Sequence, residues 1–197
     1  ASSNMFSAVQ QPEPIAEYIQ KELEMGRMLG PFADRSGFKS IYISRFGVIP
    51  KGHNTGKWSL ITDLSYPPGY SMNDGIDPNI CSLCYTTVED MASVCAILGP
   101  NTTIAKVGIE SAYRLVLVHP EDRSLLGMKW KEKFYIDPML PFGLRSAPKI
   151  FNALADALEW RVREGGVRNV FHYLDDFVVL GSPGTGECQS ELDKLRL

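Results

Sequence analysis

The sequence has few cysteines, no long apolar segment and no excess of basic residues, and each absence excludes a class of protein. Four cysteines in 197 residues are too few for a disulfide-stabilised secreted scaffold. No apolar run approaches the roughly 20 residues of a membrane-spanning helix, and no signal segment opens the chain. With 20 basic and 23 acidic residues, the net charge of −3 argues against binding to nucleic acid by bulk charge alone, although a local basic groove stays possible. We therefore expect an intracellular protein without a membrane partner, in cytoplasm or nucleus.

The spacing of the cysteines does not indicate a zinc site. Cys81 and Cys84 form a Cys-x-x-Cys pair, but no second pair stands at the distance typical of a zinc ribbon. Cys95 and Cys188 are solitary. We expect all four to be small, buried or half-buried thiols.

The apolar pattern mixes helical and strand periods without strict alternation, which predicts an α+β fold with an antiparallel sheet and helices on one face. Residues 1–14 are polar and mixed, and we expect them to be frayed. The polar face of the first predicted helix carries Glu17, Lys21, Glu22 and Glu24. Helices are predicted over residues 14–29, 85–98 and 148–164, the last marked by the repeat Ile150, Leu154, Leu158 and Val162. Strands are predicted at 38–43, 58–64, 104–107, 115–118, 125–130, 134–136 and in both arms of 170–180, with a loop entered at 47–50.

An acidic pair, Asp175-Asp176, separates the two apolar arms of the last predicted hairpin. Neither arm can bury an unpaired charge cheaply, so the pair must lie at the turn. Taken alone, such a pair is most often a solvated turn, because Asp is a good turn former. The alternative is a magnesium site, since hard carboxylate oxygens on a rigid hairpin suit that ion. Two such ions would stabilise the attacking and leaving oxygens of a phosphoryl displacement.

Two further motifs precede this pair in a fixed order. Gly-Lys-Trp and Asp-Leu lie within residues 56–64, Leu-Pro-Phe-Gly-Leu-x-x-Ala-Pro-x-x-Phe covers 140–151, and Tyr-x-Asp-Asp covers 173–176. The ordered set resembles the reverse transcriptase domain of retrotransposons, most closely the DIRS type and less closely the gypsy type. The resemblance extends over about residues 21–180 and implies an RNA-directed DNA polymerase, which is a nucleotidyltransferase.

The resemblance implies the fingers and palm subdomains of a right-hand polymerase. Residues 1–20 would be an N-terminal extension, and residues 21–197 the reverse transcriptase domain, with the thumb absent because residues 181–197 leave no room for it. The implied cofactor is Mg²⁺, with Mn²⁺ as an alternative. The implied partners are an RNA or DNA template with its primer, a dNTP, and other domains of the same retroelement polyprotein.

The resemblance also assigns roles to individual residues. Asp175 matches the metal-binding, catalytic Asp of the Tyr-x-Asp-Asp turn, and Asp176 matches its neighbour. Tyr113 matches the aromatic steric gate that excludes a ribose 2′-hydroxyl, and Ala112 would lie under the incoming triphosphate. A core role is the alternative for Tyr113.

Further assignments concern the nucleotide and the nucleic acid. Phe142 and Gly143 would pack beside the sugar and the templating pair, with plain core as the alternative for Phe142. Lys51 and Lys57 are candidates for phosphate contact, since an ammonium neutralises phosphate, or else solvated loop lysines. A local basic cluster would attract the primer-template, with a solvated hairpin tip as the alternative, and consists of Arg123, Lys129, Lys131 and Lys133.

Two positions depart from the family pattern. Gly108 stands where the family has its first catalytic Asp, and a glycine offers no carboxylate to bridge two ions. Because a metal clamp contributes several kcal/mol to the transition state, this loss predicts a rate lower by orders of magnitude. Glu110 would share a face with residue 108 only in a regular strand, whereas a turn is expected here. Ser59 stands where an Arg usually grips the triphosphate. Two hypotheses follow: an active polymerase, or a catalytically inactive palm that binds primer-template or a protein partner.

Overall fold

The computed structural model describes residues 3–52 and 56–195 and divides into two compact units. The first unit comprises Ala1–Ile80 and Tyr113–Ala147, and the second comprises Cys81–Ala112 and Pro148–Leu197. Each unit is thus assembled from two separate stretches of the chain. None of the helices in the described ranges is both long and apolar enough to cross a membrane.

Helices and antiparallel strands are mixed along the chain, as the α+β prediction requires. In chain order they are α1 (Phe6–Gln10), α2 (Pro12–Glu24), β1 (Leu29–Phe32), β2 (Arg45–Pro50), β3 (Trp58–Asp63), α3 (Val88–Leu98), β4 (Thr103–Gly108), β5 (Gly127–Trp130), β6 (Lys133–Ile136), α4 (Ala147–Glu164), β7 (Val170–Tyr173), β8 (Asp176–Gly181) and α5 (Glu187–Leu195). Among the described residues the strands form a β1-β6-β5 sheet, a β2-β3 ribbon and a β4-β8-β7 sheet, all antiparallel.

The core of the first unit forms between its two N-terminal helices and β2. Ala8 of α1 and Ile15 of α2 are fully buried against Phe46 and other apolar side chains. The prediction of a frayed segment is therefore wrong for residues 3–14, while residues 1–2 lie outside the described residues. The backbone amide of Met5 donates to the carbonyl of Phe46 at 2.9 Å, and α2 continues without a break past residue 20.

A glycine makes this N-terminal packing possible. A Cβ on Gly47 would lie 2.5 Å from Ser7 Oγ, so only a residue without a side chain lets the N-terminal segment approach β2 so closely. Ser7 Oγ in turn accepts a hydrogen bond from the amide of Val48 at 3.1 Å. Polar composition alone did not reveal these contacts, because their partners lie about 40 residues away in the chain.

Two predicted strands are not strands. Residues 38–43 contribute only an isolated bridge between Ile43 and Gly127, and residues 115–118 contribute one between Leu117 and Met139. Conversely, residues 47–50, predicted only as the entry to a loop, belong to β2, which pairs with β3 as far as Pro50 opposite Trp58. A short apolar run does not by itself specify a strand, because a strand forms only where a neighbouring segment provides matching backbone hydrogen bonds.

The second unit is a three-stranded sheet with helices. β4 pairs with β8 along all six residues, from Thr103 opposite Gly181 to Gly108 opposite Asp176. The helix predicted over 85–98 is present as α3, which begins at Val88, after a reciprocal capping box between the Thr87 side chain and Asp90.

Helix α4 buries a different face from the one its apolar repeat marks. Phe151 and Ala155 are fully buried, whereas Ile150, Leu154 and Leu158 are 38–43% exposed. The four-residue repeat correctly predicted a helix, but the sequence did not reveal which of its apolar residues would be covered.

Candidate functional site

The acidic pair lies at the turn between β7 and β8, as predicted. Tyr173 pairs with Asp176, so Leu174 and Asp175 form the two-residue connection. Leu174 has φ 53°, a left-handed conformation that costs a residue with a Cβ about 1–2 kcal/mol. The Asp175 side chain is exposed, and that of Asp176, the first residue of β8, is 38% exposed.

Gly108 directly faces this pair. It ends β4 opposite Asp176, and the next amide, that of Ile109, donates to the carbonyl of Asp175 at 2.9 Å. A Cβ on Gly108 would lie 3.2 Å from Asp176 Oδ1. A side chain at position 108 would therefore stand beside the Asp176 carboxylate. Glu110 does not replace it on the strand, because β4 ends at Gly108.

Lys106, to which the sequence reading gave no role, occupies the space beside Asp176. Its Nζ lies 2.7 Å from Asp176 Oδ2. Residues 106 and 108 lie two apart on β4 and share a face of the sheet. The sequence contains no local signal for this contact, because it depends on the register between β4 and β8.

His172, also unassigned by the sequence reading, ties β7 to α4. Its Nδ1 lies 2.6 Å from Glu159 Oε2, its Nε2 lies 3.4 Å from Asp156 Oδ1, and its ring stacks on Phe177. The strand that leads into the acidic turn is therefore held by a partly buried polar contact next to Tyr173.

A cavity of about 150 Å³ opens on the sheet beside the acidic turn. Its walls present a carboxylate, an ammonium and aromatic rings. The lining residues include Thr86, Met91, Lys106, Phe171, Tyr173 and Asp176. The ring of Tyr173 also contacts that of Tyr85, with 4.8 Å between centroids.

The residues assigned to the nucleotide belong to both units. Ala112 is buried and lies in the second unit, whereas Tyr113, Phe142 and Gly143 lie in the first. Tyr113 is only 8% exposed and meets the exposed ring of Phe142 edge to face, 4.6 Å between centroids. Their nucleotide roles stay predictions.

Asn73 holds the loop that carries Phe142 and Gly143. Its buried Nδ2 donates to the Gly143 carbonyl and to Ser65 Oγ, both at 2.8 Å. Its Oδ1 accepts from the Arg145 amide at 2.7 Å. Gly143 has φ 88°, and a Cβ there would lie 3.3 Å from the Thr62 carbonyl, so the loop depends on both residues.

Replacing Asn73 by Ala is expected to loosen this loop and to destabilise the fold by about 1–3 kcal/mol, because buried polar groups lose their partners. Urea unfolding measures the free energy, and hydrogen exchange of the Arg145 amide measures the loop. Asn79→Ala removes an exposed Asn with only a local contact to Asp77 and serves as the control. Equal effects of the two variants would contradict this role.

The candidate phosphate and nucleic-acid residues lie in the first unit. Lys51 and Lys57 are exposed at the two ends of the β2–β3 connection, where the Lys51 amide donates to the Lys57 carbonyl at 2.7 Å, while residues 53–55 lie outside the described residues. The β5–β6 hairpin brings together the three lysines of the basic cluster. Two residues of this cluster already have partners within the chain. Lys129 pairs with Glu132 at 2.7 Å, and Arg123 Nε donates to the Val118 carbonyl at 3.0 Å.

Arg114 is the centre of a buried ion cluster, which the sequence reading missed. It pairs with Asp137 and, at 2.9 Å, with Glu22, and it donates to the Arg27 carbonyl at 2.8 Å. The prediction that Glu22 lies on a polar outer face is wrong, because its side chain is 4% exposed and also binds Arg27.

The environment of this cluster raises the pKa values of Asp137 and of the neighbouring Tyr18. Burial raises the pKa of Asp137, and Arg114 opposes the shift. Burial also raises the pKa of Tyr18 to about 12, so this phenol stays protonated at neutral pH. The cluster joins α2 to the segments around residues 114 and 137.

The donor set of the acidic turn does not fit two magnesium ions. Asp175 and Asp176 supply carboxylates, but position 108 supplies none, and Asp176 is already paired with Lys106. Within the described part of the chain, no group of three or more His, Cys, Asp or Glu side chains could hold a metal.

The cysteines form no disulfide, and Cys84 is exposed, contrary to prediction.

Comparisons with known proteins identify the fold. The chain matches prototype foamy virus protease-reverse transcriptase (CSH mutant, selenomethionine-labeled) with TM-score 0.72 and 18% identity, over 99% of this chain and 23% of that one. It matches the foamy viral protease-reverse transcriptase dRH in complex with ds DNA with TM-score 0.66 and 15% identity, over 99% and 29%. The complex of the foamy viral enzyme with RNA/DNA hybrid gives 0.64 and 14%, over 99% and 23%.

These structures are much longer than this chain, which spans about a quarter of their length. No family model matches the sequence, and no curated protein sequence matches it. The likeness is therefore one of fold, at low sequence identity. The chain has a reverse-transcriptase-like fold.

Proposed function

We propose that the chain is the fingers and palm part of a retrotransposon reverse transcriptase, and that in its present form it binds primer-template without efficient nucleotidyl transfer. One observation carries the proposal: within this fold, Gly108 stands opposite Asp176 and next to Asp175. The motif order in the sequence supports the DIRS-type or gypsy-type origin.

The reaction of this class needs charge stabilisation that the chain supplies only in part. A primer 3′-hydroxyl attacks the α-phosphate of a dNTP, and pyrophosphate leaves. Bound Mg²⁺ would neutralise the charge that develops on the phosphate oxygens. Asp175 and Asp176 are the proposed ligands, and a carboxylate at position 108 is missing. Since each 1.36 kcal/mol changes the rate tenfold, one missing ligand is enough to account for very low activity.

The proposed nucleic-acid surface is the tip of the β5–β6 hairpin. Lys131 and Lys133 are exposed there, and Lys129 contributes a further ammonium. Exposed ammonium groups bind phosphates independently of sequence. The matching foamy viral enzyme was solved with ds DNA and with RNA/DNA hybrid, which supports the same ligand class for this chain.

Binding to a labelled RNA/DNA hybrid, followed by fluorescence anisotropy at several salt concentrations, tests the proposal. We expect the native chain to bind. Lys131→Ser with Lys133→Ser should weaken binding at low salt and reduce the slope of log K against log salt by about 2. Lys149→Ser with Lys194→Ser removes the same charge from exposed helix positions in the second unit and is the control. Equal slopes for the two double variants would refute the hairpin surface, and no binding by the native chain would refute the function.

A further inference from the structure

The Lys106–Asp176 ion pair lies at the point where the donor set for magnesium is incomplete. Lys106 Nζ contacts Asp176 Oδ2 at 2.7 Å, while the missing side chain at position 108 would begin 3.2 Å from Asp176 Oδ1. The Lys106 ammonium thus lies beside one oxygen of the Asp176 carboxylate, and a side chain at position 108 would lie beside the other. We infer that Lys106 is a built-in cation that takes the place of a divalent ion at Asp176 and weakens metal binding at the turn. The inference rests on the proposed function.

The strand geometry explains why Lys106 reaches this carboxylate. Residue 106 is opposite Val178, and residue 108 is opposite Asp176. The Lys106 side chain therefore crosses diagonally towards β8 to meet Asp176.

Charge repulsion is the means by which Lys106 acts. The Lys106 side chain is 61% exposed and that of Asp176 is 38% exposed, so the pair itself contributes little to stability. A divalent ion bound to Asp176 would lie close to the ammonium, and like charges at such a distance repel even in water. After allowance for solvent and salt, we expect this repulsion to lower divalent affinity about tenfold.

The test measures Mn²⁺ binding directly, by the loss of the free-ion electron paramagnetic resonance signal, without nucleotide or nucleic acid. Lys106→Met removes the ammonium and is expected to raise Mn²⁺ affinity about tenfold. Lys106→Gln is a second neutral variant that guards against a packing effect. Lys106→Arg keeps the positive charge and should leave the affinity near the native value.

Two further variants locate the effect. Lys149→Met removes one positive charge from an exposed position on α4 and should not raise the affinity. Asp175→Asn combined with Lys106→Met should remove the gain, because the ion then loses a carboxylate ligand. Circular dichroism and thermal unfolding confirm that each variant is folded.

The outcomes separate this inference from the proposed function. A gain with both neutral variants, absent from Lys106→Arg and Lys149→Met, supports the inference. Equal affinity in the native chain and both neutral variants overturns it. If Gly108→Asp then binds Mn²⁺ while Lys106→Met does not, the proposed site stands and only the role of Lys106 is lost. If no variant binds Mn²⁺, both the inference and the metal site are overturned.

Discussion

Gly108→Asp is expected to raise magnesium-dependent primer extension on an RNA template by about 10²–10³-fold, because a metal clamp contributes several kcal/mol to phosphoryl transfer. The structure shows where the new carboxylate would begin, 3.2 Å from Asp176 Oδ1 and on the strand next to the Asp175 turn. Three carboxylates in one place repel one another, and a divalent ion relieves this repulsion. The measurement is the rate of single-nucleotide addition to an annealed primer, native and variant chains side by side.

Matched variants test whether the gain in primer extension comes from the new carboxylate at position 108. Gly108→Asn adds a side chain of the same size without the charge and should give none of the gain. Gly108→Asp combined with Asp175→Asn should lose it again. Equal extension by the native chain and Gly108→Asp would show that the glycine is tolerated and that the low activity proposed here is wrong. Silence from both would point to a second lesion, for which Ser59 is the first residue to replace by Arg.

Arg114→Met is expected to lower the free energy of unfolding by about 3–5 kcal/mol, because removal of one partner leaves buried charges uncompensated. Asp137 and Glu22 would both lose their bond to the guanidinium, and Glu22 would keep only Arg27. Urea unfolding followed by circular dichroism measures the change. Lys39→Met removes an exposed charge from the same unit and should change the stability by no more than about 0.5 kcal/mol.

A double variant distinguishes charge from shape in this cluster. Adding Asp137→Asn to Arg114→Met removes one of the stranded charges and should recover part of the lost stability. A cluster that acts only by filling space would show no such recovery. Stability equal to the native chain in Arg114→Met would mean that the buried pairs only offset their own desolvation.

Local features were sufficient for much of the secondary structure. Helix α3 begins at a local cap formed by Thr87 and Asp90, and the two apolar arms around Asp175-Asp176 predicted the β7–β8 hairpin and its acidic turn. Both depend on residues within a few positions of one another. Strands at 38–43 and 115–118 failed for the complementary reason, because a strand needs a partner that short apolar runs do not specify.

Distant contacts decided the features with the greatest chemical consequence. The ordered motifs were enough to reveal the resemblance to a reverse transcriptase and to single out Gly108. They could not show that Lys106 reaches Asp176, because that contact depends on the register between β4 and β8. Glu22 looked like a surface residue, but it is buried between the nearby Arg27 and Arg114, a partner 92 positions away in the chain. Residue type and spacing thus determined the elements and the acidic turn, whereas cross-strand and buried charge pairs arose only when folding brought distant residues together.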